Sequence, residues 1–402
     1  MEIPFQFSPM AKSAEMVASI PDLLSEILLR LPIKSLLRFK LVSKRWFSLI
    51  SDPRFCQLFD PFPNPAVGLF LPSSAAVHSG EEHHLHHHEF IPFGSEQYSI
   101  ECIKDHLPAS GVRILHSCNG LMLCCSNNST VTNDDLEYFL FNPTTNKYSS
   151  IIPKPDEISK RIRGMYLAFD PVNSFHYKIV SLLLVGGNQE SHFQIKVYSS
   201  DTNSWLTQGH PFTTSTAANF DKGVYCNSAI HWMFAAGNDE SFYYHVHDHT
   251  LKQMPSLPLT YSRQCKRDYY LGESCGHLQF IDMRGPRVKL AVYELRTDYS
   301  EWFAKYQVDL SHVVAENPAM ASLRGSPMFW CCFVFEVLAV VRGGDDGDSF
   351  LVLQIPGKVV RYNIVRKIFQ DLMEFEGVVG SSLKYPKAGG FQYIRSLGCV
   401  SF

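Results

Sequence analysis

The stretch Ile20–Phe59, IPDLLSEILLRLPIKSLLRFKLVSKRWFSLISDPRFCQLF, decides how the rest of the chain is read. Leu24, Ile27, Leu28 and Leu31 stand at i, i+3, i+4 and i+7, one apolar stripe on a short helix that Pro21 can open and Pro32 must close. A brief second helical turn is expected over 33–39. Phe39, Val42, Trp46 and Leu49 then repeat at helical spacing on a third segment, whose other face carries Lys40, Lys44 and Arg45. Asp52 to Phe59 reads as a last short helix. Three short amphipathic helices in about 40 residues bury too little apolar surface to stand alone with much margin. Such a module is built to dock.

Its fixed offsets are more specific than any one dipeptide: Ile20-Pro21, Leu31-Pro32-Ile33-Lys34-Ser35-Leu36, Val42-Ser43-Lys44-Arg45-Trp46 and Leu49-Ile50. In that order they resemble the F-box, whose pattern opens on Leu-Pro or Ile-Pro, turns at Leu-Pro-x-Lys-Ser-Leu and closes on Val-x-Lys-x-Trp followed by Leu-Ile. The resemblance implies that Pro21, Leu24, Ile27, Leu31, Pro32, Leu36, Phe39, Val42 and Trp46 lie at or beneath the contact with a Skp-type adaptor, which connects to a cullin scaffold. The competing reading is a helix-turn-helix whose basic third helix enters DNA. Charge alone leaves it open, since the stretch carries seven Lys or Arg against Asp22, Glu26 and Asp52. A recognition helix exposes polar base readers, however, whereas Val42 and Trp46 give this one an apolar partner face.

The whole chain has 402 residues, room for two or three ordinary domains or one large repeat array. With 45% hydrophobic and 19% charged residues it has the composition of a soluble globular protein, and its net charge of -3 argues against a general nucleic-acid binder. Protein partners are expected. The first twenty residues contain Glu2 and Glu15 and no uninterrupted apolar core of the length a secretory signal needs, so no export is implied. The longest apolar run, 328–341, holds Glu336 and falls short of the roughly 20 residues that span a bilayer, so no membrane span is expected. Eleven cysteines, an odd number scattered through apolar stretches, read as reduced core thiols of a cytoplasmic or nuclear protein. No C-x-x-C pair occurs, so neither a zinc finger nor a RING-type site is encoded.

Pro61, Pro63 and Pro65 alternate just after the helical stretch and mark a boundary. Five histidines fall within His83–His88, a metal-binding tract on composition or, as the simpler reading, a solvated loop tip. From about residue 110 the sequence turns to short apolar runs rich in β-branched and aromatic residues, broken by Asn, Asp, Gly, Pro and Thr: an all-β array. Phe141 and Tyr148, Tyr198 and Trp205, His247 and Met254, and Tyr362 and Phe369 are each seven apart across a mostly turn-rich middle, the offset of a cross-strand pair in a hairpin. A looser fifth copy runs from Tyr293 to Trp302, nine apart. The first members are 57, 49, 46 and 69 residues apart, near the period of kelch-type propeller blades. Gly186-Gly187 and Gly343-Gly344 add kelch-like double glycines. Blades are expected near 110–150, 160–210, 220–256, 268–312 and 325–375. A sixth would be closed by 391–402 pairing with strands from 66–105, which would hide the sheet edges.

This half also resembles the F-box-associated domain of plant F-box proteins, through Ser117-Cys118-Asn119-Gly120-Leu121-Met122-Leu123-Cys124, Phe141-Asn142-Pro143-Thr144-Thr145-Asn146, Leu167-Ala168-Phe169-Asp170-Pro171, Tyr177-Lys178-Ile179-Val180 and 223–232. The expected fold is therefore α+β and multidomain: a disordered 1–16, a three-helix F-box at 17–60, a linker with first strands and the His-rich loop at 61–109, and an all-β kelch-like propeller of about six blades at 110–402.

Chemistry is sparsely signalled. His231-Trp232 could be imagined as a general base, but a paired strand residue is the plainer reading because no nucleophile or carboxylate stands at a recognisable offset. Asp345-Asp346-Gly347-Asp348 lacks the alternating ligands of a calcium loop and reads as an acidic hairpin tip. Phosphate-cradling glycine motifs are absent, so no catalytic, cofactor or metal site is assigned. Long connections at 154–165, 208–222, 259–268 and 311–327 are where a target would touch. By resemblance the chain is a non-catalytic substrate-recognition subunit of an SCF-type ubiquitin ligase, with a Skp-type adaptor, cullin and an unknown target protein as partners. The alternative is a propeller enzyme, a lyase or oxidase, with an incidental helical leader.

Overall fold

The computed structural model describes residues 16–17, 19–59, 65–73, 87–94, 112–126, 136–149, 152–153, 162–185, 192–214, 220, 222–233, 241–258, 269–283, 288–322, 332–375, 390–398 and 400. Four helices come first: α1 (Pro21–Leu28), α2 (Ile33–Phe39), α3 (Lys44–Ile50) and α4 (Pro53–Phe59). Pro21 sits in the first turn of α1, where its missing N–H costs nothing. The Ser43 hydroxyl accepts the Trp46 amide at 3.2 Å to start α3, and Asp52 Oδ1 accepts the Arg54 amide at 2.8 Å to start α4.

Two helical expectations are corrected. The first helix ends at Leu28 rather than running to Pro32, and Ile27 is 41% exposed while Leu24 and Leu28 are buried. In so short a helix only one flank of the apolar stripe meets the core. The third segment is also not continuous from Phe39: extended backbone at Ser43, φ -158°, separates α2 from α3. Phe39 and Trp46 instead meet across that turn, edge to face, with ring centroids 5.1 Å apart.

Behind the helices, six sheets are arranged as a propeller. Blade 1 runs Val112–Cys118, Leu121–Ser126, Tyr138–Asn142, Lys147–Tyr148. Blade 2 runs Ile162–Ala168, Lys178–Leu184, His192–Ser199, Ser204–Thr213, and blade 3 runs Gly223–Cys226, Ala229–Trp232, Phe242–His245, Thr250–Gln253. Blade 4 comprises Tyr269–Ser274, His277–Asp282, Lys289–Leu295 and Trp302–Asp309, and blade 5 Glu336–Val341, Phe350–Ile355, Lys358–Asn363 and Phe369–Glu374. In each, the strands are antiparallel neighbours in chain order. Blade 6 joins the two ends of the propeller: Phe391–Tyr393 pairs with Gly68–Ser73, which pairs with His87–Pro92. A helix α5 (Ser311–Glu316) and a two-stranded pair, Ala321–Ser322 with Cys332–Phe333, lie between blades 4 and 5.

The hairpin offsets hold at Phe141↔Tyr148, Tyr198↔Trp205 and Tyr362↔Phe369, each a cross-strand partner pair. In blade 3 the pairing is Tyr244↔Leu251 rather than His247 with Met254, because the turn lies three residues earlier than the aromatic spacing implied. In blade 4 Trp302 faces Leu295, seven away, not Tyr293, so this hairpin is as regular as the others. Gly186-Gly187 and His83–His86 lie outside the described residues, while His87 and His88 open a strand of blade 6.

The ring is closed by side chains from both neighbours of blade 6. Phe70, Phe90 and Tyr393 pack with ring centroids 5.0 to 6.0 Å apart, and the Tyr393 hydroxyl meets Thr144 Oγ1 at 2.9 Å in blade 1. Asn142, wholly buried, donates from Nδ2 to the carbonyls of Ser396 (3.1 Å) and Gly398 (2.8 Å), and its Oδ1 accepts the amides of Thr144 and Thr145. On the other side Arg361 donates to the Phe93 carbonyl at 2.9 Å and lies 3.9 Å over the Phe350 ring. Gly120 is required beside this junction: its φ is +88°, and a Cβ there would stand 2.4 Å from the Ser396 Cβ. Between other blades, Cys118 Sγ donates to the Phe169 carbonyl and Cys226 Sγ to that of Gly276, while Arg342 pairs at 3.2 Å with Glu294, 1% exposed.

Candidate functional site

The helical module buries Leu24, Leu28, Ile33, Leu36, Ile50, Phe55 and Cys56 together with Leu397, which arrives from beyond the last propeller strand. What it leaves outside is more telling. Eight of the fifteen exposed large apolar side chains among the described residues belong to it: Met16, Ile20, Leu23, Ile27, Leu41, Val42, Phe47 and Leu58. Ile20, Leu23 and Ile27, at i, i+3 and i+7, form a stripe on α1 beside the buried one. Leu41 and Val42 project from the α2–α3 turn at 87% and 61% exposure. A monomer gains nothing from exposing such a concentration of apolar surface.

The sequence-derived contact residues divide accordingly. Pro21, Ile27, Pro32 and Val42 are exposed; Leu31, Phe39 and Trp46 are half-buried; Leu24 and Leu36 are buried and support the others from beneath. Leu41 was missed because it obeys no helical period; the signal available was an apolar pair in a turn. Phe47 stands apart from the rest of the exposed set, since it and the last helix face the propeller. Lys147 Nζ lies 5.4 Å over the Phe47 ring, and Gln57 donates to the Val172 carbonyl. Both contacts are made at turns inside blades 1 and 2. The antiparallel order of every four-stranded blade makes the connections between blades leave from the other end. Most of the long connections expected to touch a target, including 154–161, 215–219, 259–268 and 323–327, lie outside the described residues.

The two buried histidines of the propeller are engaged in structure. His231 is 1% exposed, beside the mutually stacked rings of Tyr243 and Tyr299, with Nδ1 3.2 Å from the Val224 carbonyl and Nε2 2.8 Å from the Tyr299 hydroxyl. It is a paired strand residue. His116 likewise spans Gly223 O at 3.1 Å and the Leu167 amide at 3.2 Å. Burial holds both imidazoles down to about 4, so both are neutral at pH 7. Between the unfolded value of about 6.5 and the folded one the unfolded chain binds more protons, so stability is complete above pH 6.5 and drains away as pH falls toward 4. At about 1.4 kcal/mol per unit, each histidine accounts for about 3 kcal/mol of that loss. Urea unfolding at pH 7.5 and pH 4.5 should show it, and Val224, Gly223 and their neighbours should be the first amides to lose exchange protection in acid.

At the acidic tip, Asp346 accepts the Tyr306 hydroxyl at 2.8 Å and pairs with Lys305 at 3.2 Å, while Asp348 pairs with Arg366 at 3.2 Å. The tip is a hairpin fastening. No group of three or more His, Cys, Asp or Glu side chains placed to hold a metal ion occurs among the described residues. No helix among them is long and apolar enough to cross a membrane.

Comparison with known proteins agrees with this geometry. The profile of the F-box domain matches residues 19–58, and that of the F-box associated beta propeller domain matches 84–279. The Arabidopsis thaliana F-box protein At5g07610 is 30% identical over 416 residues, covering 97% of this chain and 94% of that protein. An F-box/kelch-repeat protein of the same plant is 26% identical over 254 residues, 61% of this chain and 62% of its own length. On a helical module, a six-bladed body and a relative spanning both, this chain belongs to the F-box protein family and carries an F-box-associated propeller.

Proposed function

We propose that the chain is the substrate-recognition subunit of an SCF-type ubiquitin ligase. The helical module binds a Skp-type adaptor, and through it a cullin, using Pro21, Ile27, Leu31, Pro32, Phe39, Val42 and Trp46 over the support of Leu24 and Leu36. The propeller holds the protein to be modified. The observation that carries this reading is the concentration of exposed apolar side chains on a small module whose last helix and Phe47 face the propeller. The chain itself performs no bond chemistry; it raises the effective concentration of a target lysine near a charged conjugating enzyme. Its engaged histidines and its buried thiols at Cys56, Cys118, Cys124, Cys125 and Cys226 fit a non-catalytic protein of the cytoplasm or nucleus.

The test is reconstitution. The full chain, mixed with purified Skp-type adaptor, cullin, RING subunit and ubiquitin-charged conjugating enzyme, should assemble on size exclusion and support ubiquitin transfer to proteins it captures. Failure to form a complex with the adaptor at micromolar concentration would overturn the assignment.

A further inference from the structure

The innermost strands of blades 1, 3, 4, 5 and 6, with Asp170 from the turn after the inner strand of blade 2, line a cavity of about 390 Å³, within the range of small-molecule sites. Its lining mixes apolar side chains, Leu271, Val337, Leu338 and Phe391 among them, with nearly as much polar surface. Near the end where the tight intra-blade turns lie stands Glu273, in the last residues of the inner strand of blade 4. Its Oε1 accepts the Gly276 amide at 2.6 Å, and this is the one hydrogen bond of the carboxylate among the described residues.

Several donors around it are committed elsewhere. The Cys118 and Cys226 thiols point to the Phe169 and Gly276 carbonyls. Gln392 Nε2 reaches the backbone carbonyl of Glu273 at 3.2 Å, and the Tyr269 hydroxyl goes to the Met233 carbonyl. Tyr225 bonds to Ser228, and His116 Nε2 to the Gly223 carbonyl. The one lysine of the lining, Lys222, precedes the inner strand of blade 3 and so sits at the opposite mouth, four or five strand residues away, roughly 15 Å at about 3.3 Å per residue. Asp170 and Glu336, the other charged groups of the lining, are also acidic. Among the described residues, then, one oxygen of this carboxylate has no hydrogen-bond donor and neither oxygen has a cation, an arrangement that a cationic donor relieves.

We propose that this cavity binds a small organic ammonium ion, its N–H groups on the Glu273 carboxylate and its alkyl part against the apolar side chains. The bond to Gly276 shows that Glu273 also fastens its turn, but that role occupies one oxygen and a glutamine would keep it. Burial raises the Glu273 carboxyl to about 7, so it is ionised, and the site charged, on the alkaline side of neutrality.

Calorimetric titration of the full chain with n-butylammonium chloride at pH 8 should give saturable binding, and 1-butanol, the neutral counterpart, should give none. Glu273→Gln should weaken the amine at least tenfold. In wild-type protein labelled with 13C-glutamate, saturating butylammonium should lower the midpoint of the Glu273 carboxyl titration, a reading that needs no variant to fold. Absence of saturable heat, equal binding of butanol, undiminished affinity in a folded Glu273→Gln protein, or an unmoved Glu273 titration would each overturn the proposal.

Discussion

Placing aspartate at both Leu41 and Val42 is expected to abolish binding of a Skp-type adaptor without unfolding the chain. Both side chains are already in water, 87% and 61% exposed, so the free protein loses almost no packing when they become acidic. A partner that covers them loses two apolar contacts, each worth about 1.5 kcal/mol or more, and must also desolvate two carboxylates. The sum exceeds about 4 kcal/mol, a thousandfold or greater loss in affinity. Titration calorimetry with purified adaptor measures the loss, while an unchanged far-ultraviolet circular dichroism spectrum and melting temperature show that the fold survives. Leu24→Ala and Leu36→Ala make the contrast: both residues are buried, and their truncation should cost about 3 kcal/mol of module stability through the cavity left behind. An adaptor affinity within threefold of wild type in the Leu41 and Val42 double variant would remove the docking face from the account.

The second large effect is expected at Asn142. Its amide is the tie between blade 1 and the segment that follows the closing strand, through Ser396 and Gly398, and it also caps its own turn at Thr144 and Thr145. Alanine leaves two buried carbonyls without donors and releases the turn. Each orphaned group costs about 1 to 3 kcal/mol, so the variant should lose about 3 kcal/mol and melt roughly 6 °C lower. Amides of Phe391–Tyr393 should exchange faster than those of blade 3, because the damage is at the seam. Asn142→Asp retains the acceptor but turns a charge toward two carbonyls, and should be no better than alanine. If Asn142→Ala cost less than about 1 kcal/mol, closure would rest on the aromatic contacts of Phe70, Phe90 and Tyr393 instead.

Sequence periodicity located five blades, and the closing sixth followed from having one β segment at each end. It worked because a hairpin writes its register locally: Phe141 and Tyr148 meet through a four-residue turn that Asn142 and Asn146, the latter at φ +53°, are suited to make. The misses came where several aromatic residues compete for the same offset. His245, His247 and His249 crowd one hairpin, and spacing alone chose the wrong member. In the helical module the apolar spacing marked which residues share a face, but the choice of which flank faces inward depends on Leu397, a contact no local pattern carries. Asn142 was read as a turn residue; its second role spans 254 residues of sequence and is visible only in three dimensions. Glu273 carried no motif at all, since its significance lies in the neighbours that are already committed.

The presence of Leu397 in the helical core has a temporal consequence. Translation delivers the helices first and Leu397 only after every strand has left the ribosome. A polypeptide that stops short of Leu397 therefore carries the helices with a hole where that leucine belongs, and their packing is correspondingly looser.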